Sequence, residues 1–449
     1  MVCQFMLAGT NSGSGKTTFT IGIMAALHKR GIEVQGFKAG PDYIDPMFHA
    51  KVTDRASYNL DTWMLDSEYL KYVYSKAAKD SDVSVIEGVM GLFDGHGVDS
   101  NEGSSSDLSE KLNLPVILVV DGRGKSRSLA AEINGFKHFE KNTRIAGVLI
   151  NRLSSEMHYN YMKEIVENYT GLKCYGYLKK DDNFGLKERH LGLVPAEEDS
   201  ELECKVQLLI DRIESSVDLD AIIEDFNKPL LEVIEPEAIN QIKGIAKGKT
   251  IAVAKDEAFN FYYESNFDLL KHTGVNIKFF SPLNDKILPE NIDGIYLGGG
   301  YPEIFAKELE QNISMRNSVE KAFKEGVFGY AECGGLMYLT KSITNSKGEK
   351  FDMVGFFNRD SFMTDKLQNF GYAEVNMKNG LVIKAHEFHH SKIEPSLDES
   401  SFYDMKKYRK NKIFKTWNEG FVKENVLASY AHLHFGSNLN VLKWLLEKL

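Results

Sequence analysis

Cysteine is scarce: four in 449 residues, at Cys3, Cys174, Cys204 and Cys333. Thiols so few and so scattered build neither a disulfide framework nor a CxxC metal site, and they point to a reducing cytoplasm. Basic charge is in deficit too. Lysine and arginine total 54 against 64 aspartates and glutamates, a net charge of −10, and no basic block occurs. That balance excludes a nucleic-acid binder held through phosphate contacts. No run reaches 18 apolar residues, so no transmembrane helix is expected. The opening MVCQFMLAGT lacks a basic n-region and reads as a strand entering a glycine loop, not as a signal peptide. Internal repeats and low-complexity segments are absent as well.

What remains is ordinary globular composition, 43% apolar and 26% charged, in a chain long enough for two to four domains. Short apolar runs at 2–8, 33–37, 83–87, 115–121, 145–151 and 173–178 read as strands buried on both faces. Helical patterns such as 17–29 and 126–138 fall between them. Strand–helix alternation predicts a doubly wound parallel sheet with right-handed crossovers. Residues 216–248 carry acids and one weak helical pattern, and read as a connector. Alternation restarts at 250: strands 250–254, 276–280, 294–297 and 326–331, with helices 261–272, 304–324 and 334–342. The last hundred residues are strand-rich and close on a helix at 438–448. The expectation is two tandem three-layer α/β domains: 1–215 for ATP and substrate, a connector at 216–248, and 249–449 for a second activity.

Residues 9–18, GTNSGSGKTT, sit between the first strand and the first helix. Such a loop turns backbone N–H groups toward phosphate oxygens at a helix N-terminus, Lys16 bridges phosphates, and the Thr17 hydroxyl can ligate Mg²⁺. Five residues separate Gly9 from Gly15, one more than in the usual phosphate loop, and Thr10 stands where the first glycine belongs. Carboxylates follow at the strand ends: Asp42 and Asp45 after the second strand, Glu87 closing the third, and Asp94 beyond it. In an open parallel sheet these ends face the ligand crevice, and Glu87 is the best candidate for supporting the metal. Asp42 and Asp94, beside proline and glycine, also read as turn formers. Asn151 ends another strand; its amide suits a base edge, and a plain strand-end turn explains it equally well.

Cys333 lies in Tyr330-Ala-Glu-Cys-Gly-Gly-Leu336, between a short apolar strand and a helix. That is the context of a nucleophile elbow, with the helix N-terminus expected to favour the thiolate. A lone cysteine is ordinarily a small buried hydrophobe. Here the triple glycine Gly298–Gly300 adds the backbone N–H groups of Gly299 and Gly300, which with that of Gly334 suit an oxyanion hole. A base is available in Tyr430-Ala-His-Leu-His-Phe435, from His432 or His434.

Taken together, GTNSGSGKTT, GPDYIDP at 40–46, EGVMGLFDG at 87–95, LGGGYPE at 297–303, AECGG at 331–335 and HEFH at 386–389 resemble the cobyrinic acid a,c-diamide synthase family over essentially the whole chain. In that family a dethiobiotin synthetase-like ATPase domain is fused to a class I glutamine amidotransferase domain. The resemblance implies a cytoplasmic enzyme that amidates the a- and c-acetates of cob(II)yrinic acid, with ATP, Mg²⁺ and glutamine and without membrane or nucleic-acid partners; a homodimer is compatible with it. It assigns ATP to Gly13, Gly15, Lys16, Thr17, Thr18 and Asn151, the metal to Thr17, Glu87 and Asp42, and the corrinoid to Asp45 and Asp94. Cys333 matches the glutaminase nucleophile and His432 its base. His434 stands where many class I enzymes carry glutamate, so a cysteine–histidine dyad is the expectation. The same chemistry on hydrogenobyrinic acid or nickel-sirohydrochlorin fits these motifs equally. A ParA/MinD-like regulatory ATPase is the reading from another class, but it has no use for the Cys333 elbow.

Overall fold

The computed structural model describes residues 1–98, 100–180, 188–189, 192–193, 201–394, 400–410 and 412–449. The chain divides into two units, Met1–Glu235 and Pro236–Leu449. Among the described residues no helix is long and apolar enough to cross a membrane.

In the first unit the strands are apolar on both faces because helices cover both. They are β1 (Val2–Gly9), β2 (Val34–Ala39), β3 (Tyr58–Leu60), β4 (Val83–Gly91), β5 (Val116–Asp121), β6 (Ile145–Leu153) and β7 (Lys173–Lys179). Every residue of β1 and β2 is buried. The order is β3-β2-β4-β1-β5-β6-β7, and each neighbouring pair runs parallel. Two two-residue strands, β8 (Glu188–Arg189) and β9 (Gly192–Leu193), pair only with each other, and β10 (Asn227–Lys228) runs antiparallel to β1. The chain leaves β1 toward one side of the sheet and fills the other side later, so the crevice opens at the end of β1, where the glycine loop leads into helix Lys16–Lys29. The 216–248 stretch is shared: helix Leu219–Phe226 and β10 lie in the first unit, and the turn Glu237–Asn240 in the second.

The second unit places β11 (Thr250–Ala254), β12 (Asn276–Phe280), β13 (Gly294–Leu297) and β14 (Phe328–Glu332) in a parallel core. Antiparallel and mixed strands extend it: β15 (Ser342–Thr344), β16 (Lys350–Asp352), β17 (Asp360–Met377), β18 (Val382–Ile393), β19 (Ser400–Arg409), β20 (Lys412–Lys423), β21 (Val426–Ser429) and β22 (His432–Leu433). The order is β12-β11-β13-β14-β21-β20-β19-β17-β15-β16, with β18 joining β17 to β22. The expected helix at 304–324 is two helices, Ala306–Gln311 and Ile313–Lys324. Between them the Asn312 amide donates to the carbonyls of Pro282 and Asp285, and the backbone leaves helical angles at that residue.

Candidate active sites

The phosphate loop holds its shape through its neighbours. Gly15, the residue before helix Lys16–Lys29, has φ of 102°, and a Cβ there would stand 1.9 Å from the Asn151 amide nitrogen. Only glycine fits. Asn151 Nδ2 donates to the Ser14 carbonyl at 2.9 Å and its Oδ1 accepts from Arg152 N–H, while Arg152 reaches the Gly13 carbonyl at 2.7 Å and Asp121 at 2.8 Å. Each end of the Asn151 amide is therefore engaged once by the chain itself, which leaves its second N–H and the second lone pair of its oxygen for a base edge. Lys16 folds back onto the Met90 carbonyl at 2.5 Å. Burial, and then the charge of Lys38, bring its pKa down to about 8.

Beneath the loop is a buried charge cluster. Glu87 lies inside β4, which continues to Gly91, so it does not close the strand as the sequence suggests. Its carboxylate accepts from Thr17 Oγ1 at 2.5 Å, Lys38 Nζ at 3.1 Å and His49 Nε2 at 2.8 Å. Burial opposes its charge, but Lys38 and His49 outweigh burial and hold Glu87 well below the usual carboxylate range. Lys38 also pairs with Asp45 at 2.5 Å. Burial opposes the Lys38 charge too, and the carboxylates of Asp45 and Glu87 outweigh it. Asp45 is pushed up by burial and by the charges of Asp42 and Glu87. Lys38 and His49 were not singled out from sequence. A lysine inside the apolar run VQGFKA was the available signal, since a buried lysine demands partners.

Each of the three expected aspartates has a partner within the chain. Asp45 is buried and pairs with Lys38. Asp42 starts helix Ile44–Thr53 by accepting the N–H groups of Ile44 and Asp45. Asp94 accepts from Gly91 N–H as a turn former does, yet it remains exposed and close enough to act on Lys16. The donor set does suit a magnesium ion that also binds phosphate: Thr17 gives its hydroxyl hydrogen to Glu87, which leaves the oxygen lone pairs for a hard cation. Fully buried and bound by three donors, Glu87 fits as the support of Thr17 rather than as a ligand. Among the described residues no three histidine, cysteine or carboxylate groups are arranged to hold a metal alone.

In the second unit Cys333 occupies a strained turn, φ 47° and ψ −104°, between β14 and the short helix Gly334–Leu339. Such a backbone costs on the order of 1–3 kcal/mol and is held here by the Cys333 N–H bond to the Ser429 carbonyl at 2.7 Å. At Gly335 a Cβ would stand 2.3 Å from the Leu297 carbonyl, so the helix can enter only on glycine. The Gly300 nitrogen lies 3.1 Å from the place a Cβ on Gly334 would take, which brings two of the three expected oxyanion donors together. Gly299 instead faces the base: its absent Cβ would stand 2.5 Å from His432 Cε1 and 3.3 Å from Nε2. The thiol is only 5% exposed, and burial pushes it well above its ordinary range despite the Gly334 N–H. The short helix therefore does not offset burial, and attack by the sulfur calls for a base to take its proton.

His432 is buried at β22, and its Nδ1 lies 3.7 Å from Glu332 Oε2. His434 turns elsewhere: its Nε2 meets Ser265 Oγ at 2.9 Å, its Nδ1 accepts from Gly436 N–H, and burial lowers its pKa to about 3. The HEFH stretch lies beside this site on β18. His389 stacks on the Tyr430 ring at 3.8 Å, and its Nε2 is 3.3 Å from Glu387. Glu387 and Glu419 lie close enough to act on each other; burial pushes Glu387 up to about 7 and Glu419 well above the usual carboxylate range.

Residues 5–194 match the family model described as the CobQ/CobB/MinD/ParA nucleotide binding domain, and residues 250–439 match that of the CobB/CobQ-like glutamine amidotransferase domain. The chain is 46% identical over 447 residues to a cobyrinate a,c-diamide synthase of Listeria innocua, covering 98% of both chains. It is 43% identical over 452 residues to one of Clostridium tetani, covering 99% of this chain and all of that one. A solved glutamine amidotransferase aligns with 44% of this chain and 97% of its own at 16% identity and a TM-score of 0.33, a likeness too slight to carry an argument.

Proposed function

Since the chain belongs to the cobyrinate a,c-diamide synthase family, we propose that it amidates the a- and c-acetate side chains of cob(II)yrinic acid, using ATP and glutamine. It is an ATP-dependent carbon–nitrogen ligase with a glutamine amidotransferase domain. One observation supports the pairing of activities best: a phosphate loop whose Thr17 is backed by the buried Glu87, and a cysteine elbow backed by His432, stand in one chain.

A carboxylate resists attack by ammonia because its carbonyl carbon is shielded by negative charge. Phosphorylation removes that obstacle: the carboxylate oxygen attacks the γ-phosphorus, ADP leaves, and an acyl phosphate forms. Loop N–H groups around Gly13 and Gly15, with Lys16, hold the phosphates, and Thr18 lies in the same first helical turn. Thr17 and its support Glu87 would hold Mg²⁺, which offsets phosphate charge when bound. Asn151 and Arg152 brace the loop, and Asn151 keeps a second N–H and a second lone pair with which to contact the adenine. Asp94 is the exposed carboxylate beside Lys16 and the better placed of the two expected substrate contacts.

In the second unit the Cys333 thiol loses its proton to His432 as sulfur attacks the glutamine carboxamide carbon. Gly300 and Gly334 N–H groups take the developing oxyanion, His432 returns the proton to the departing ammonia, and water releases glutamate from the thioester. The free ammonia displaces phosphate from the acyl phosphate and leaves the amide.

Mass spectrometry of products formed from cob(II)yrinic acid, hydrogenobyrinic acid and nickel-sirohydrochlorin, each with ATP and glutamine, tests the substrate. Two added amides on cob(II)yrinic acid with ADP released are expected. Preferred turnover of either other tetrapyrrole would reassign the substrate, and AMP release would replace the acyl phosphate with an adenylate.

A further inference from the structure

We infer that Glu332, the residue before the nucleophile, is the carboxylate that positions His432, completing a Cys333–His432–Glu332 constellation without any acid from the His434 position. The inference rests on the reading of Cys333 and His432 as the glutaminase pair. A cysteine–histidine pair is expected from the sequence, because the position two residues after His432 carries His434 and not an acid. The fold supplies the acid from the other side of the site. Glu332 ends β14, is 2% exposed, and brings Oε2 to 3.7 Å from His432 Nδ1. The opposite edge of the ring, Nε2 and Cε1, faces Gly299 and the oxyanion loop. This orientation sorts the two nitrogens: Nδ1–H toward the carboxylate and a basic Nε2 toward the reacting groups.

The carboxylate is held in turn. Its Oε1 accepts from Tyr330 hydroxyl at 2.6 Å and from Leu433 N–H at 3.0 Å, and its Oε2 accepts from Tyr296 hydroxyl at 3.1 Å. The Leu433 bond ties Glu332 directly to the backbone that carries His432. Such a carboxylate cannot swing away, and its cost of burial is met by three donors and the imidazole. When His432 takes the Cys333 proton, the imidazolium forms beside the Glu332 carboxylate, and the proton stays on His432 until ammonia departs. The other titratable neighbours are Cys333, Tyr262, Tyr403, His386 and His389. The two histidines are held neutral by burial and add no charge near pH 7.

Glutamate release from L-glutamine by the full chain, followed from pH 5 to 9, tests this. Cys333→Ser must abolish release; if it does not, the underlying reading falls whatever Glu332 does. With that control satisfied, Glu332→Gln is expected to lower kcat about 10- to 100-fold with KM changed less than about threefold. The acid limb of its pH profile should move down, because the imidazolium formed in the reaction loses its anionic neighbour. Tyr296→Phe should move that limb the opposite way, since it removes a competitor for Oε2. Damage to the fold lowers kcat without moving the limb in opposite directions. Should Glu332→Gln fail to fold, an upward shift in Tyr296→Phe upholds the assignment. Limbs that stay in place, or move together, overturn it.

Discussion

Lys16 is poised between two charge states before any nucleotide arrives. Burial and the nearby Lys38 charge lower its pKa to about 8, from 10.5, so around pH 8 roughly half of the nucleotide-free molecules carry it neutral. Phosphate oxygens reverse this, since they favour the ammonium form. Binding ATP at pH 8 is therefore expected to take up about half a proton, and close to none at pH 6. Calorimetry in two buffers of different ionisation enthalpy reads the uptake directly. Lys16→Met should abolish it and weaken binding; uptake that persists in that variant would assign the proton to another group. Affinity should also fall as pH rises through 8, because each binding event must then collect the missing proton.

The antiparallel extension of the second unit carries a different pH signal. Glu387 on β18 and Glu419 on β20 act on each other in the interior, beside His389 and Lys407. Burial raises Glu387 to about 7 from 4.5. A carboxyl whose folded pKa is raised stabilises fully below its unfolded value, and the contribution disappears as pH climbs through the folded one. Stability of this region should therefore fall between about pH 4.5 and about pH 7, by about 3 kcal/mol at most. Hydrogen exchange in peptides covering 382–393 and 412–423 should quicken over that range beyond its intrinsic pH dependence, and Glu387→Gln should flatten the change. An unaltered slope in that variant would remove the pair from the explanation. These same strands mark what could be read in advance. The parallel cores were legible, because a strand covered on both faces must be apolar throughout, and glycines beside Lys16 and Cys333 announced the two sharp turns. Less legible were the partners. Lys38, His49 and Glu332 act across strands or between a strand and a helix, and sequence order does not reveal who meets across a sheet. The partner of Asp45 was hidden for the same reason: spacing puts it at the crevice, and a lysine on β2 pairs with it there.

At the scale of the whole chain the two chemistries should separate, because each unit carries its own sheet and its own site. Lys16→Ala removes the phosphate contact in the first unit. Amidation should drop below detection while glutamate release from glutamine continues. The converse variant is Cys333→Ser. It cannot open glutamine, so glutamine-dependent amidation should vanish. The acyl phosphate needs only ATP, metal and the substrate carboxylate, and it should still form. Ammonia from concentrated ammonium salt can then attack it, and the rate should climb with pH because the NH₃ share of total ammonia climbs while the carboxylate is already activated. His432→Asn should behave as Cys333→Ser does, since the base acts only on the glutamine step. His434→Asn should be milder in glutamine use, given that its ring is turned to Ser265 and Gly436; if it proves the more damaging of the two, the base belongs at His434. A Cys333→Ser protein that binds ATP normally but uses ammonia at no pH would mean that activation itself depends on an intact glutamine site, and the picture of two independent chemistries in one chain would have to be abandoned.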